Sequence, residues 1–437
     1  MDENLLTGTM KINEKNHLEI GGVDCVDLAE KYGTPVYIYD TAYIKTKTRA
    51  FKAAFAKRKV AAQVAYASKA FSCLAIYQLM AQEKMSLDVV SGGELYTAIQ
   101  ADYPSEKIHF HGNNKSDDEL IAGLDYHVGC FVVDNFHELY RLDELTAERK
   151  QKTNILIRVT PGVEAHTHDY ISTGQNDSKF GFDLENGQAE AAVKQAVNMP
   201  FIEVIGLHSH IGSQIFETQG FNLAIDKVLT QAAKWKSALN FDLKVLNVGG
   251  GFGIRYTSED KPLPIETYIH TIIDEVEMLT ENLNLDMPEI WIEPGRSLVG
   301  DAGITLYQTG SQKSIPDVRN YLAIDGGMSD NIRPALYNAK YTGVFANRVN
   351  DQIDELYSIA GKCCESGDML IWNLPLPKVQ SKDILAVFST GAYGYAMASN
   401  YNRIPRPPVV FVEGGSEFLA IERESYRDLM RLERSLI

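Results

Sequence analysis

A chain of 437 residues, 45% of them hydrophobic, is too long for one ordinary core and long enough for a barrel of about 250 residues plus a second domain. Its 42 basic and 58 acidic residues give a net charge of -16, which disfavours nucleic acid or an anionic membrane as partner and favours a small-molecule ligand. The opening MDENLLTGTM has no apolar signal run and no later stretch holds the about eighteen apolar residues of a bilayer span, while cysteines 25, 73, 130, 363 and 364 form no disulfide or finger spacing; a cytoplasmic protein with free thiols is expected.

In chain order, the strand-like PVYIYD comes first, followed by the helical TAYIKTKTRAFKAAFAKR. Short apolar, β-branched runs then alternate with stretches of helical periodicity such as GELYTAIQA and QAEAAVKQAVNM. The runs are QVAYAS ending near Lys69, SLDVV near Ser91, KIHFHG near Gly112, CFVVD near Asn135, NILIRVT near Pro161, VIGLHSHIG near Ser213, VLNVGGG near Gly251 and EIWIEPG near Arg296. These eight β/α units predict an α/β fold, a TIM-type (β/α)8 barrel over residues 38–297. After Arg296 the closely spaced GITLYQTG, YLAIDGG, DMLIWNLPL, ILAVFSTG and PVVFVEGG predict a β-rich barrel or sandwich over residues 298–437, which residues 1–37 join.

Active sites of such barrels gather at the C-terminal ends of the strands. There stand Lys69, Asp88, Arg158, His208, His210, Ser213, the triplet Gly249-Gly250-Gly251, Glu293 and Arg296. Singly, each has a commonplace explanation: a solvated lysine, a core histidine, a tight turn, a salt bridge. Together they describe one ligand. A lysine can form a Schiff base, a histidine can stack on a flat ring, and a carboxylate can keep a pyridine nitrogen protonated. The glycine loop and Ser213 offer backbone N–H groups and a hydroxyl to a phosphate. The set specifies pyridoxal 5'-phosphate. Zinc is a weaker reading, because HSH places two histidines on one strand face without a third ligand at a typical spacing, and no metal is expected. NAD is weaker still, since GGGFG lacks the G-x-G-x-x-G spacing.

The motifs YASKAF, LDVVSGGEL, HSHIGSQ, NVGGGFG, EPGRS, CESGD and GAYGYAMASNYN, in this order across nearly the whole chain, resemble those of the fold-type III PLP-dependent decarboxylases, most closely the branch acting on diaminopimelate. The resemblance implies a PLP-binding barrel and a β domain that completes the active site. It implies decarboxylation of meso-2,6-diaminopimelate to L-lysine and CO2, with ornithine, arginine, lysine or carboxynorspermidine as alternative substrates. Lys69 matches the Schiff-base lysine, His210 the ring-stacking imidazole and Glu293 the acid paired with the pyridine nitrogen. Asp88, Arg158, Ser213, Gly250, Gly251, Gly295, Arg296 and Tyr393 are the further cofactor contacts so implied, and Arg296, Arg333, Tyr337, Glu365 and Tyr393 the substrate contacts. Cys364 and Glu365 would reach the site of a neighbouring subunit, so the resemblance also implies a homodimer with a shared site, Cys364 giving the α-carbon its proton while Cys363 packs away. Phe252 in the glycine loop and the second cysteine are small departures.

The distal end of diaminopimelate carries a carboxylate and an ammonium, for which Arg296, Arg333 and Glu365 have suitable charge. A non-catalytic relative would be expected to lose the lysine, the cysteine or the phosphate loop, and all three are present. A racemase would avoid a carboxylate at the pyridine nitrogen, which Glu293 argues against.

Overall fold

The computed structural model describes residues 5–163 and 178–437, and divides into two compact units. One holds residues 47–253 and 262–297, the other residues 1–46, 254–261 and 298–437. Among the described residues no helix is long and apolar enough to cross a membrane.

The larger unit is a closed parallel barrel. In the second unit the strand β1 (Val36–Asp40) precedes it in the chain, and the helix α1 (Thr41–Arg58) leads to its first strand. The barrel strands are β2 (Ala62–Ala67), β3 (Ser86–Val89), β4 (Ile108–Phe110), β5 (Cys130–Val133), β6 (Thr153–Thr160), β7 (Ile202–His208), β8 (Val245–Asn247) and β9 (Glu289–Ile292). Each pairs in parallel with the next, and β9 closes on β2 in the register Ile292↔Val64. Every position of β3, β4, β5 and β8 is buried, which is why these strands read as continuous apolar runs rather than as an alternation. The intervening helices turn one face inward: the helix Gln219–Leu239 buries Phe221, Ala224, Ile225, Val228, Leu229, Ala232 and Trp235, which recur along one face. Ser91, Ser116 and Asn135 cap the helices after β3, β4 and β5 by accepting a backbone N–H.

Inside the barrel, Cys130, Val132, Leu156, Val245 and Trp291 form an apolar plug. His109 stacks on Trp291 with ring centroids 4.2 Å apart and planes 8° from parallel. Burial, with the neighbouring His111 adding to it, drives the His109 imidazole down to about 3, so it is neutral at physiological pH. Above the plug, Lys115 Nζ donates to the carbonyls of Gly112 (3.0 Å) and Val132 (2.9 Å) and to Glu138 Oε1 (2.7 Å), closing the loop after β4 against β5.

The second unit is a mixed sheet. It contains β10 (Gly303–Ile315), β11 (Arg319–Ile324), β12 (Glu355–Ala360), β13 (Met369–Leu376), β14 (Ile384–Val387), β15 (Val409–Glu413) and β16 (Ser416–Ile421). Its order is β13-β12-β11-β10-β1-β15-β16, with β14 also paired to β10. Thus β1 runs antiparallel to β10 and parallel to β15, so residues up to Asp40 are hydrogen-bonded into this sheet rather than into the barrel. Ile38, Ile304, Leu306, Val410 and Val412 share its core.

The Lys115–Glu138 pair is 1–2% exposed on both sides, and removing the anion would strand a buried ammonium. Glu138→Ala should therefore lower the unfolding free energy by about 3–5 kcal/mol, read from the urea midpoint at constant slope, while Glu138→Gln, which keeps an acceptor, should lose less.

Candidate active site

The strand ends of the barrel converge on one buried carboxylate. Lys69 lies in the short turn Ser68–Ala70 that ends β2, with its neighbours Ser68 and Ala70 buried and its own side chain exposed. The Ser68 hydroxyl lies 2.7 Å from both the Asp88 carbonyl oxygen and Glu94 Oε2, and Glu94 Oε2 also accepts the Val90 N–H at 2.7 Å. The backbone that carries Lys69 is thereby tied to the end of β3.

Glu293 follows β9 and is almost wholly buried. Asn247 Nδ2 donates to its Oε1 at 2.6 Å, and Asn247 Oδ1 accepts the Gly249 N–H at 2.9 Å, which fixes the amide's orientation. His208 Nε2 lies 3.2 Å from Glu293 Oε2 and His111 Nε2 lies 3.1 Å from Oε1. Burial alone would raise the Glu293 carboxyl, but the His111 and His208 rings outweigh it and hold the group well below the ordinary carboxylate range. Oε1 has two nitrogen neighbours and Oε2 one, so Oε2 retains room for a further donor. Asp88, 3.6 Å from His111 Nε2, goes the other way: burial raises it from 3.8 to about 6, His111 offsets part of this and Glu293 adds to it.

The glycine loop comes next. A Cβ on Gly250 would lie 2.2 Å from the Glu293 carbonyl oxygen, and Gly251, at φ +103°, would place one 2.4 Å from the Gly212 carbonyl oxygen. Only glycine fits, and the loop therefore presents bare main chain. The Gly250 N–H donates to His210 Nδ1 at 3.2 Å, which puts the ring proton of neutral His210 on Nε2. Burial, with Lys69 and Arg158 nearby, holds His210 well below its usual value, so it is neutral. Arg296 donates to Ser213 Oγ through Nε (3.3 Å) and Nη2 (2.9 Å). Arg158, on β6, has Nε 3.7 Å from Asp134 Oδ1 and its guanidinium 4.4 Å from the Phe180 ring centre.

The two histidines of HSH thus serve different partners, His208 the carboxylate and His210 the glycine loop, instead of sharing one face toward a common ion. A third metal-type ligand does stand beside His208: His111, His208 and Glu293 bring their ligand atoms within 4.8 Å of one another. It comes from a strand far away in sequence, so no spacing announces it. Asn247 already donates to Glu293 Oε1, an interaction that a metal bound to that oxygen would oppose.

Residues 41–300 match the family model for the pyridoxal binding domain of pyridoxal-dependent decarboxylases. Curated diaminopimelate decarboxylases from Bacillus methanolicus and Bacillus subtilis are 64% and 59% identical to this chain, covering 96% and 98% of it and 97% and 98% of their own lengths. The crystal structure of diaminopimelate decarboxylase from M. jannaschii in complex with L-lysine superimposes with a TM-score of 0.92 at 37% identity, covering 98% of both chains. The chain belongs to the diaminopimelate decarboxylase family. Its cofactor is pyridoxal 5'-phosphate, and the residues at the barrel mouth fit that group: an exposed amine, a side-chain-free loop beside Ser213, a neutral imidazole, and an ionised carboxylate with an open lone pair.

The remaining residues expected from the decarboxylase motifs lie in the β-rich unit. Arg333 is buried at the start of the helix Arg333–Tyr337, with its guanidinium 5.0 Å from the Tyr256 ring centre and 5.7 Å from that of Tyr341, to whose hydroxyl Nη1 is hydrogen-bonded. Tyr337 and Tyr393 are half-buried, and Tyr393 stands at φ +60°, a left-handed conformation costly for an aromatic residue. Cys363 is buried, whereas Cys364 and Glu365 are exposed. The Cys364 N–H donates to Asn402 Oδ1 at 2.7 Å, and buried Asp368 accepts from Cys363 N (2.8 Å) and Met328 N (2.6 Å). Asn402 escaped the sequence reading, as did His111 and Asn247. His111 immediately follows a barrel strand and meets the criterion that selected Glu293; Asn247 ends β8 and meets the one that selected His208.

Glu293→Gln should retain cofactor binding and lose most of the decarboxylation rate, because an amide cannot hold a pyridine nitrogen protonated as a carboxylate does; cofactor titration and CO2 release measure the two separately. Asp88 gives a pH prediction. Its folded pKa lies above its unfolded one, so the folded chain binds the extra proton, and stability falls as pH rises from 3.8 through about 6. Asp88→Asn should flatten that decline in urea midpoints taken between about pH 5 and pH 7.

Proposed function

We propose that this chain decarboxylates meso-2,6-diaminopimelate to L-lysine and CO2, the last step of lysine biosynthesis, at the barrel mouth built around Glu293. The observation that carries the reading is the buried, ionised Glu293 beside a glycine cradle and an exposed lysine, in a chain 64% identical to a curated diaminopimelate decarboxylase. Bound pyridoxal phosphate supplies the electron-poor ring that takes up the electron pair left when the α-carboxylate departs. Lys69 supplies the primary amine for its covalent attachment, and the anchoring of Ser68 to Asp88 and Glu94 fixes where that amine starts. Neutral His210, oriented by the Gly250 N–H, offers a flat face with its proton on Nε2. Glu293 Oε2 would accept a hydrogen bond from the protonated ring nitrogen and so keep the proton there, while Ser213, Arg296, Gly251 and the Gly295 backbone would hold the phosphate; Asp88 and Arg158 would complete the charge around the ring.

Substrate choice follows from charge. Arg333, with Arg296, binds the distal carboxylate, Glu365 the distal ammonium, and Tyr337 and Tyr393 line the path. Two tyrosine rings and the Tyr341 hydroxyl immobilise Arg333 before substrate arrives, which reduces the entropy lost on binding. Cys364 delivers the proton to the α-carbon across the interface of a homodimer, and the enzyme works in the cytoplasm. The buried Cys363 beside the exposed Cys364 supports giving this role to Cys364.

CO2 release from meso-diaminopimelate should exceed that from ornithine, arginine, lysine and carboxynorspermidine, and Arg333→Ala should raise KM for diaminopimelate by about tenfold or more, as expected for losing a charge-assisted contact. Preferential turnover of a substrate without the distal carboxylate would move the reading to the related decarboxylases. Inactive Lys69→Ala subunits mixed with inactive Cys364→Ala subunits should recover part of the activity, since some mixed dimers hold one intact site; no recovery under proven subunit exchange would disprove the shared site.

A further inference from the structure

We propose that His111 is a positioning residue that keeps two buried carboxylates from sharing a proton and so commits Glu293 to the ring nitrogen of the cofactor; the inference rests on the role given to Glu293 above. The His111 backbone N–H donates to the Val89 carbonyl at 2.8 Å, locking the residue to the strand that carries Asp88. Its Nε2 lies 3.1 Å from Glu293 Oε1 and 3.6 Å from Asp88 Oδ1. Both Asp88 Oδ1 and His111 Nε2 are fully buried, and the ring nitrogen stands between the two acids, nearer to Glu293. A nitrogen facing two carboxylate oxygens must carry its proton, because a lone pair there would meet only lone pairs.

Without that N–H the two acids would face each other across a dry space. Like charges so placed do not both ionise, and one takes up a proton. Asp88 and Glu293 would then compete for it, and a Glu293 protonated part of the time cannot hold a pyridinium. Groups of either sign act on His111 from the surrounding strand ends: Asp88 on β3, Asp134 after β5, His208 on β7 and Glu293 after β9, with His109 on its own strand. Arg158 and Lys69 act on the same acids from β6 and β2. Of these, only Asp88 and Glu293 place an oxygen within 4 Å of Nε2 among the described residues.

The test is to load the protein with pyridoxal phosphate labelled with 15N in the ring and to follow the 15N shift with pH. His111→Met removes the N–H and approximates the volume, while His111→Gln restores a donor of similar reach. In the Met variant the midpoint for loss of the ring proton should fall by about one pH unit or more, with kcat down about tenfold and KM for diaminopimelate nearly unchanged. The Gln variant should recover most of the midpoint. An unshifted midpoint in His111→Met overturns the inference. Glu293→Gln, measured alongside, separates the two readings: if it too leaves the midpoint unmoved, the role of Glu293 fails, and if it shifts while His111→Met does not, only the role of His111 fails. Should His111→Met not take up cofactor, the double variant Asp88→Asn/His111→Met decides: with the competing acid gone it should load cofactor and titrate near the wild-type midpoint, and failure to load or a midpoint still lowered overturns the inference.

Discussion

The structure depends on keeping one carboxylate charged where water does not reach. A buried, ionised Glu293 is expensive unless its oxygens are matched by donors, and β4, β7 and β8 each contribute one at or just beyond the strand end: His111, His208 and Asn247. The carboxylate's place is set by main chain as well. Glu293 N–H donates to the Gly249 carbonyl at 2.8 Å, and Gly250 backs onto the Glu293 carbonyl at a separation that admits no side chain. The glycine loop and the acid are one construction, so the ends of β8 and β9 together decide where the charge sits.

The β-rich unit solves a different problem. Its motif residues are spread over three segments, and the structure pins those segments to one another by short polar contacts. Asp368 accepts from both Met328 and Cys363, Asn402 accepts from Cys364, and the Ser399 N–H donates to the Ser329 carbonyl at 2.8 Å. A buried aspartate that serves two backbone N–H groups replaces the solvent each would otherwise need. The Cys364 loop is thus exposed without being untethered, which suits the role proposed for Cys364.

Much of this was legible in the sequence, for a physical reason. Parallel strands buried on both faces leave an unbroken apolar signature, so all eight barrel runs stood out, and the rule that chemistry gathers at strand ends picked out Lys69, Asp88, His208, His210 and Glu293. Which of these touch was not legible. Contacts across a barrel join residues well apart in the chain, 46 positions for Asn247 and Glu293 and 85 for His208 and Glu293, and His111 and Asn247 have ordinary local surroundings. The HSH motif shows the limit well: its alternation suggested a common face, but the strand ends at His208, and His210 beyond it is free to turn to the glycine loop.

The tight approach of Gly250 to Glu293 also bears on how such a protein changes over generations. Because the acid is placed by backbone, drift in surface side chains leaves the decarboxylation chemistry where it was, whereas Arg333 and the Cys364 loop depend on side-chain contacts that single substitutions can redraw. With the roles proposed above, a lineage on this scaffold can alter which amino acid it accepts by small steps while the means of breaking the carbon–carbon bond is inherited intact.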